Sequence, residues 1–284
     1  MAHRIGKKEP IGEALVRLVR DDLERARHAL AGRQSRERRI HRIRQRLKRV
    51  RSVLAVLKPA LGERATHARH GVASAARLLA GARDADAAAA SARELRAAAG
   101  AADDAGLDRV VASLTAAAED AHHRATPVDE VRRRLAAVEA DIADLPRHLH
   151  GEALLADALE HSYRKGRHAM AEATTSLSTP DLHRWRKAVK DLWHLLALAE
   201  KRLPKGLADE RDDLARLGEL LGQDHDHAIL AEKLALSPEG DPALMRQLAV
   251  IARERRRLER EAFALGARLY GPKAKRFAKA AKVR

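Results

Sequence analysis

The sequence predicts an all-α protein made of two helical bundles that arose by internal duplication. Aromatic residues make up only 2% of the chain, which argues against a β-sandwich, since strands favour aromatic side chains. Apolar residues make up 45%, and many are alanines, so we expect a core of closely packed helices. An apolar pattern recurs 142 residues further on, which indicates two four-helix-bundle-like units related by pseudo-twofold symmetry.

The boundary between the two units is expected near Pro146. We interpret residues 1–10 as a disordered basic lead-in, 11–146 as the N-terminal bundle and 147–270 as the C-terminal bundle. A basic tail at 271–284 ends the chain.

Apolar periodicity, prolines and glycines set the expected helices. The first half is predicted to contain helices at about 11–31, 35–59, 63–80, 84–99, 107–123 and 128–145. The second half is predicted to contain helices at about 154–173, 181–203, 207–221, 229–238 and 242–270. Asp84 is a good N-cap for the alanine-rich helix, and Pro180-Asp181 are expected to cap the helix that follows them. Residues 222–227 are predicted to lie between two helices.

The stretch from Ile40 to Leu57 has the clearest pattern. Its apolar residues step by three and four and form one buried seam: Ile40, Ile43, Leu47, Val50, Leu54 and Leu57. The same spacing returns 142 residues later as Leu182, Trp185, Val189, Leu192, Leu196 and Ala199. One flank of the first seam is cationic and carries His41, Arg44, Lys48 and Arg51. Most of this flank returns as His183, Arg186 and Lys190, with Trp193 at the position of Arg51. We call these two flanks the basic strips.

The opposite flank is not kept in the same way. Arg42, Arg46 and Arg49 in the first copy are replaced by Arg184, Ala188 and Asp191 in the second. One flank thus keeps its positive charge in both copies, whereas the other loses most of it in the second copy. This difference favours the interpretation that the basic strips bind a ligand. The alternative that stays open is a solvated helix face.

The net charge of +16 predicts a polyanionic partner, because such an excess of positive charge attracts polyanions: nucleic acid, an acidic membrane or a phosphate polymer. Cysteine is absent, which fits a reducing compartment. The N-terminus lacks the apolar core of a signal peptide, and no apolar run is long enough to cross a membrane. We therefore expect a cytoplasmic protein that does not enter membranes.

The segment Asp224-His225-Asp226-His227 contains the residue types that ligate divalent metals. On a helix the two histidines would point apart, and the aspartates repeat at Asp84 and Asp86 whereas the histidines do not. This favours helix capping and ion pairs, so no metal or cofactor is predicted. No phosphate-binding loop or catalytic triad is recognisable, and we expect no enzymatic activity. A metal-dependent phosphohydrolase centred on these aspartates stays the weakest alternative.

The order of these motifs resembles the CHAD domain, the conserved histidine α-helical domain. The first-half residues that carry the resemblance are Ile40-His41-Arg42-Ile43-Arg44, Leu47-Lys48-Arg49-Val50-Arg51 and Arg83-Asp84-Ala85-Asp86. Their second-half counterparts are Leu182-His183-Arg184-Trp185-Arg186-Lys187 with Lys190, Tyr163-Arg164-Lys165-Gly166-Arg167, and Leu220-Leu221-Gly222-Gln223-Asp224-His225-Asp226. The resemblance covers about residues 10 to 270.

The resemblance implies two basic helical bundles that bind long-chain inorganic polyphosphate and associate with polyphosphate granules. The triphosphate-hydrolysing barrel that often accompanies the family is not found in this sequence, which leaves a binding module. We expect the ligand to follow the basic strips together with Lys187, and to pass beside Arg20, Arg27, Arg164 and Arg167. The alternative is general nucleic-acid binding through the basic region 242–284. Charge reversal at Arg42 and Arg49 is expected to matter less than charge reversal in the strips.

Overall fold

The computed structural model describes residues 3–32, 35–79, 81–98, 105–123, 127–144, 149–204, 206–235 and 242–281. All regular structure in these ranges is helical, which confirms the all-α class; the internal duplication stays a prediction. The helices of the first half are α1 (Ile11–Leu30), α2 (Arg36–Leu61), α3 (Glu63–Leu78), α4 (Gly81–Ala98), α5 (Ala105–His123) and α6 (Val128–Asp141). Those of the second half are α7 (Gly151–Ser176), α8 (Thr179–Ala199), α9 (Gly206–Ala235), α10 (Pro242–Tyr270) and α11 (Ala274–Ala280), with a 3-10 turn at Glu200–Arg202 after α8.

Helices α1, α2, α3 and α6 form the first four-helix bundle. Helix α1 packs against α2, α2 against α3, and α3 against α6, which returns to α1. The predicted seam of α2 supplies much of the core: Leu47, Val50, Leu54 and Leu57 are fully buried. Burying a leucine or valine side chain stabilises a fold by about 1.5–3 kcal/mol, so the spacing of this seam accounts for the position of α2.

Helices α7 to α10 form the second bundle. Helix α8 packs against α7 and α9, and α10 packs against the same two helices. Helices α8 and α10 therefore occupy diagonally opposite corners. The seam of α8 is buried as predicted, with Trp185 and Val189 fully inaccessible. Helices α4 and α5 pair with each other, and they also contact α9 and α10 of the second bundle.

The two bundles share one hydrophobic core, because α2 contacts both α7 and α8 and α1 contacts α7. Two glycines allow the start of α1 to touch the start of α7. A Cβ atom at Gly151 would clash with the backbone nitrogen of Gly12, so a side chain there would force the two helices apart. The predicted domain boundary near Pro146 lies outside the described residues, and the division into two domains stays a prediction.

The predicted disorder of the N-terminal lead-in is wrong for residues 3–10. The Ile5 side chain is fully buried, and its backbone N–H donates to the Leu198 carbonyl at 3.0 Å. Arg202, which follows α8, donates to the backbone oxygen of Glu9 at 2.7 Å. The segment is ordered because an apolar residue among its charges enters the core.

The predicted basic tail is also part of the fold as far as Ala281. Phe277 of α11 stacks on Tyr163 of α7 with ring centroids 4.2 Å apart, and the Tyr163 hydroxyl donates to the Pro272 carbonyl at 2.8 Å. Because deletion of 271–284 would remove the buried Phe277, it would test folding as well as nucleic-acid binding.

Three predicted helix ends differ from the structure. Helix α9 runs without a break from Gly206 to Ala235, so residues 222–227 lie inside a helix. Helix α4 begins at Gly81, so Asp84 is not its N-cap. The N-cap of α8 is Ser178, whose hydroxyl accepts a hydrogen bond from the Asp181 backbone.

Candidate functional site

The buried seams place the basic strips along the edges of α2 and α8. His41, Lys48 and Arg51 are exposed on α2, and Arg44 is half-buried and donates to the Ala76 carbonyl of α3 at 3.4 Å. His41 also contacts Gln45 one turn further on at 2.8 Å. On α8 the two exposed members are Lys187 and Lys190, whereas His183 and Arg186 are half-buried. Burial of the seam thus leaves the cations at the surface.

Two glycines of α9 make room for the strip of α8. A Cβ atom at Gly222 would lie 3.4 Å from Nε of Arg186, and one at Gly218 would lie 3.7 Å from Cε of Lys190. The two glycines are one helical turn apart, as are the two cations. The Lys190 stem therefore lies across the α9 backbone at Gly218. At Gly222 the guanidinium of Arg186 itself packs against α9, and its Nε is buried without a hydrogen-bond partner among the described residues.

The two basic strips meet at His194 of α8. The pKa of this imidazole is lowered to about 4, chiefly by burial and also by the charges of Lys48, Lys190 and Arg49, whereas Asp191 opposes the shift. Lys48 belongs to α2 and Lys190 to α8. Because α2 packs against α8 and both lysines act on one side chain, the strips approach each other where the two bundles touch.

Four helices contribute charges beside this point. Arg69 of α3 is half-buried, and its Nε has no hydrogen-bond partner among the described residues. Burial lowers the pKa of Arg69, the charge of Arg51 on α2 lowers it further, and Asp191 of α8 opposes both. Lys165 of α7 reaches the same aspartate, with 3.2 Å between Nζ and Oδ2. We call Arg51, Arg69, Lys165 and Asp191 the junction cluster.

Two imidazoles lie together at the other end of the α8 strip, one on α8 and one on α9. The rings of His183 and His225 lie 4.2 Å apart, and Nδ1 of each is buried with no hydrogen-bond partner in the described structure. The pKa of His183 is lowered to about 4, chiefly by burial and also by its neighbours His225, Lys187 and Arg186. A neutral imidazole beside Arg186 can donate a hydrogen bond to an anionic oxygen.

The opposite flank of α2 has a structural role. Arg46 donates to Oδ1 of the buried Asp22 at 2.9 Å, and His3 lies 2.6 Å from Oδ2. Burial alone would raise the pKa of Asp22, yet His3, Arg49 and Arg46 lower it. Arg49 acts on both Asp22 and His194, so the predicted Arg42 and Arg49 pair is not a neutral control.

Four further predicted residues lie elsewhere on α1 and α7. Arg20 donates to the Ala143 carbonyl at 2.9 Å, and Arg164 contacts His161 one turn earlier on α7. Arg27 and Arg167 are exposed. None of the contacts described above joins these four to the junction cluster, and their role stays a prediction.

The predicted ion pairing of Asp224 is confirmed, whereas its predicted capping role is wrong. Asp224 is 1% exposed inside α9 and accepts a hydrogen bond from Nε of Arg255 at 2.8 Å. Burial raises the pKa of Glu259, as does the neighbouring Asp224. Among the described residues, no three His, Asp or Glu side chains are arranged to hold a metal ion.

Two half-buried histidines, His183 and His194, predict a pH-dependent stability. Because the folded pKa of His183 and of His194 is about 4, against an ordinary value of 6.5, the unfolded chain binds more protons between these values. Their contribution is fully present above pH 6.5 and is lost as the pH falls towards 4. We expect His194→Gln to reduce the loss of melting temperature between pH 7 and pH 5. An unchanged pH profile in this variant would contradict the assigned pKa.

Taken together, the fold and the site define a class: an all-α protein whose two bundles present a cationic surface where they meet. The CHAD domain family model matches residues 14–235, and the chain belongs to this family. No curated protein matches it significantly. None of the helices described above has an apolar stretch sufficient to span a bilayer.

Two solved structures are similar in fold. The CHAD domain from the plant Ricinus communis superposes with a TM-score of 0.71 at 18% identity, over 95% of each chain. PptA from Streptomyces chartreusis superposes with a TM-score of 0.69 at 16% identity, over 93% of this chain and 100% of the other. At these identities the likeness concerns the fold alone.

Proposed function

We propose that this protein binds inorganic polyphosphate along its two basic strips, without catalysing a reaction, and that it associates with polyphosphate granules. The observation that carries the proposal is that α2 packs against α8 and that Lys48 of one strip and Lys190 of the other both lie close enough to His194 to act on it, which favours one continuous cationic surface. This surface crosses both bundles, so it offers a long ligand more contacts than either helix alone.

Polyphosphate matches the chemistry of this surface. It is a flexible chain with about one negative charge per phosphate and no bases, so its recognition requires closely spaced cations. Arginine binds phosphate oxygens through two parallel N–H groups, and lysine supplies a mobile point charge. Both kinds of side chain are present in each strip.

Nucleic acid is the less favoured ligand. Proteins that bind single strands use exposed aromatic rings on which bases stack. Trp185 is fully buried here, Tyr163, Tyr270 and Phe277 are buried in the core, and Trp193 and Phe263 are half-buried against it, so none of the aromatic rings is fully exposed. The CHAD resemblance of the sequence also implies polyphosphate, and family membership supports that implication.

A binding role without hydrolysis is supported by the environment of Asp224. This carboxylate is buried and paired with Arg255, so it is not placed to position an attacking water on a phosphate chain. Release of orthophosphate from polyphosphate in the presence of divalent ions, lost on Asp224→Ala, would contradict this part of the proposal.

The test is a titration against polyphosphate and duplex DNA that carry the same number of phosphates, at several salt concentrations. We expect tighter binding of polyphosphate at every salt concentration, because the flexible chain can follow both strips. Tighter binding of DNA throughout would overturn the proposal. Salt must be varied, because affinity for any polyanion falls steeply as salt rises.

The association with granules has a separate test. A fluorescent fusion should form foci in cells that make polyphosphate and should be diffuse in a strain that lacks it. Foci that persist without polyphosphate would exclude this localisation.

A further inference from the structure

The junction cluster contains more positive than negative charge at the point where the bundles meet. Arg51, Arg69 and Lys165 come from three different helices, and one carboxylate, Asp191, acts on two of them. Asp191 lies 3.2 Å from Lys165. Arg69 and Lys165 thus have Asp191 as their common anion among the described residues, and Arg51 adds a further positive charge beside Arg69.

Arg69 is the least satisfied member of the cluster. Its side chain is half-buried, and its Nε is buried without a hydrogen-bond partner in the described part of the chain. Buried polar groups in native proteins almost always have a partner. The Nε of Arg69 is therefore shielded from water beside the positive charge of Arg51 and has no acceptor among the described residues.

The pair between Lys165 and Asp191 can be exchanged easily. Both side chains are 54% exposed, and ion pairs at such positions contribute little to stability because water and salt screen them. Loss of this pair to a stronger anion would therefore have a small cost. A phosphate offers several acceptor oxygens where Asp191 offers two.

We infer that Arg51, Arg69 and Lys165 form a phosphate subsite and that Asp191 is an internal competing anion which bound phosphate displaces from Lys165. The identity of the ligand as polyphosphate rests on the proposed function, whereas the subsite itself requires only a phosphate oxyanion. Arg69 and Lys165 belong to α3 and α7, outside the two basic strips.

The competing carboxylate has a consequence for selectivity. A single phosphate ion must displace Asp191 with its own binding energy alone. A long chain that is already held by Arg44, Lys48 and Arg186 presents its phosphates to the subsite at a high effective concentration. Asp191 thus weakens the binding of short phosphates more than it weakens the binding of long chains.

The test compares two substitutions. We expect Asp191→Asn to bind long-chain polyphosphate about threefold to tenfold more tightly, and to bind short-chain tripolyphosphate with a larger gain than the long chain. We expect Arg69→Gln to bind the long chain about tenfold more weakly. The plot of log affinity against log salt should become steeper by about one for the first and shallower by about one for the second.

Matched controls lie on α6, which is diagonal to α2 in the first bundle. Asp129→Asn and Arg132→Gln change the same charges at exposed positions and should alter affinity less than twofold. Melting temperatures show whether each variant is folded. If Arg69→Gln does not fold, Arg51→Gln at an exposed position takes its place.

The outcomes separate the two proposals. If the native protein binds polyphosphate but the junction variants behave like the α6 controls, the subsite is wrong and the proposed function stands. If the native protein does not bind polyphosphate, the proposed function fails. The subsite is then tested by the rise in melting temperature caused by pyrophosphate, which must be larger in Asp191→Asn and absent in Arg69→Gln; equal rises in all variants would overturn it.

Discussion

Replacing Arg44 and Arg186 together by glutamate should weaken polyphosphate binding by about 3–6 kcal/mol, or 10²-fold to 10⁴-fold. A hydrogen bond to a charged group contributes about 1.5–3 kcal/mol, and each substitution removes one such donor. The two residues occupy equivalent positions in the basic strips, one on each bundle. Their combined effect therefore measures whether one ligand uses both strips. Isothermal titration with a polyphosphate of defined length gives the two affinities.

The matched control is the replacement of Arg253 and Arg260 by glutamate. These arginines are exposed on α10, which lies diagonally across the second bundle from α8, and the change in net charge is the same. We expect a loss below tenfold, due to the general field of the protein. Equal losses in the two double variants would mean that net charge, rather than the strips, determines binding.

Replacing Asp22 by alanine should lower the free energy of unfolding by about 3–5 kcal/mol. Asp22 is 1% exposed, and its removal leaves Arg46 and His3 without their anion in a largely buried position. Because the folded pKa of Asp22 is lowered, its stabilisation is present above the ordinary value of 3.8 and is lost as the pH falls through the folded pKa. Chemical denaturation at pH 7 measures the effect.

Asp21→Ala provides the control one position earlier in the chain. Asp21 pairs with Arg17 at 3.3 Å on the surface of α1, and such pairs contribute about 1 kcal/mol or less. At temperatures where the Asp22 variant is folded, its polyphosphate affinity should stay close to that of the native protein. A stable Asp22 variant that has lost binding would show that the flank carrying Arg46 contacts the ligand.

The seams and the spacing of the basic strips could be predicted from the sequence because both depend on helical periodicity alone. Leu47 and Val189 are buried, while Lys48 and Lys190 are exposed beside them, as the pattern requires. Burial and exposure along one helix can be predicted in this way because residues three and four positions apart lie on the same helix face.

The junction cluster could not be found in this way, because it depends on how different helices align. Arg69 lies on α3, in which no sequence motif was recognised. It reaches Arg51 because α2 and α3 are antiparallel, with Arg44 opposite Ala76. From that contact, Arg69 lies seven residues back along α3 and Arg51 lies seven residues forward along α2. The antiparallel alignment of the two helices therefore places the two arginines opposite each other.

Asp191 and Gly222 were misinterpreted for a related reason. The sequence suggests that Asp191 merely dilutes the unused flank, yet it contacts Lys165 of α7 at the meeting point of the strips. Gly222 suggests a break in the chain, yet α9 is continuous and the glycine makes room for Arg186. In both cases the residue contacts a side chain of a neighbouring helix, and this contact cannot be inferred from the sequence of the helix that contains the residue.

Protection of lysines from acetylation by bound polyphosphate, measured by mass spectrometry, tests the central claim most directly. Lys48, Lys165, Lys187 and Lys190 are exposed in the free protein and should be protected together when the chain is bound. Lys201, Lys233 and Lys275 are also exposed but lie outside the strips and should react as before. Protection centred on Lys275, or spread evenly over all seven lysines, would contradict a ligand that follows α2 and α8.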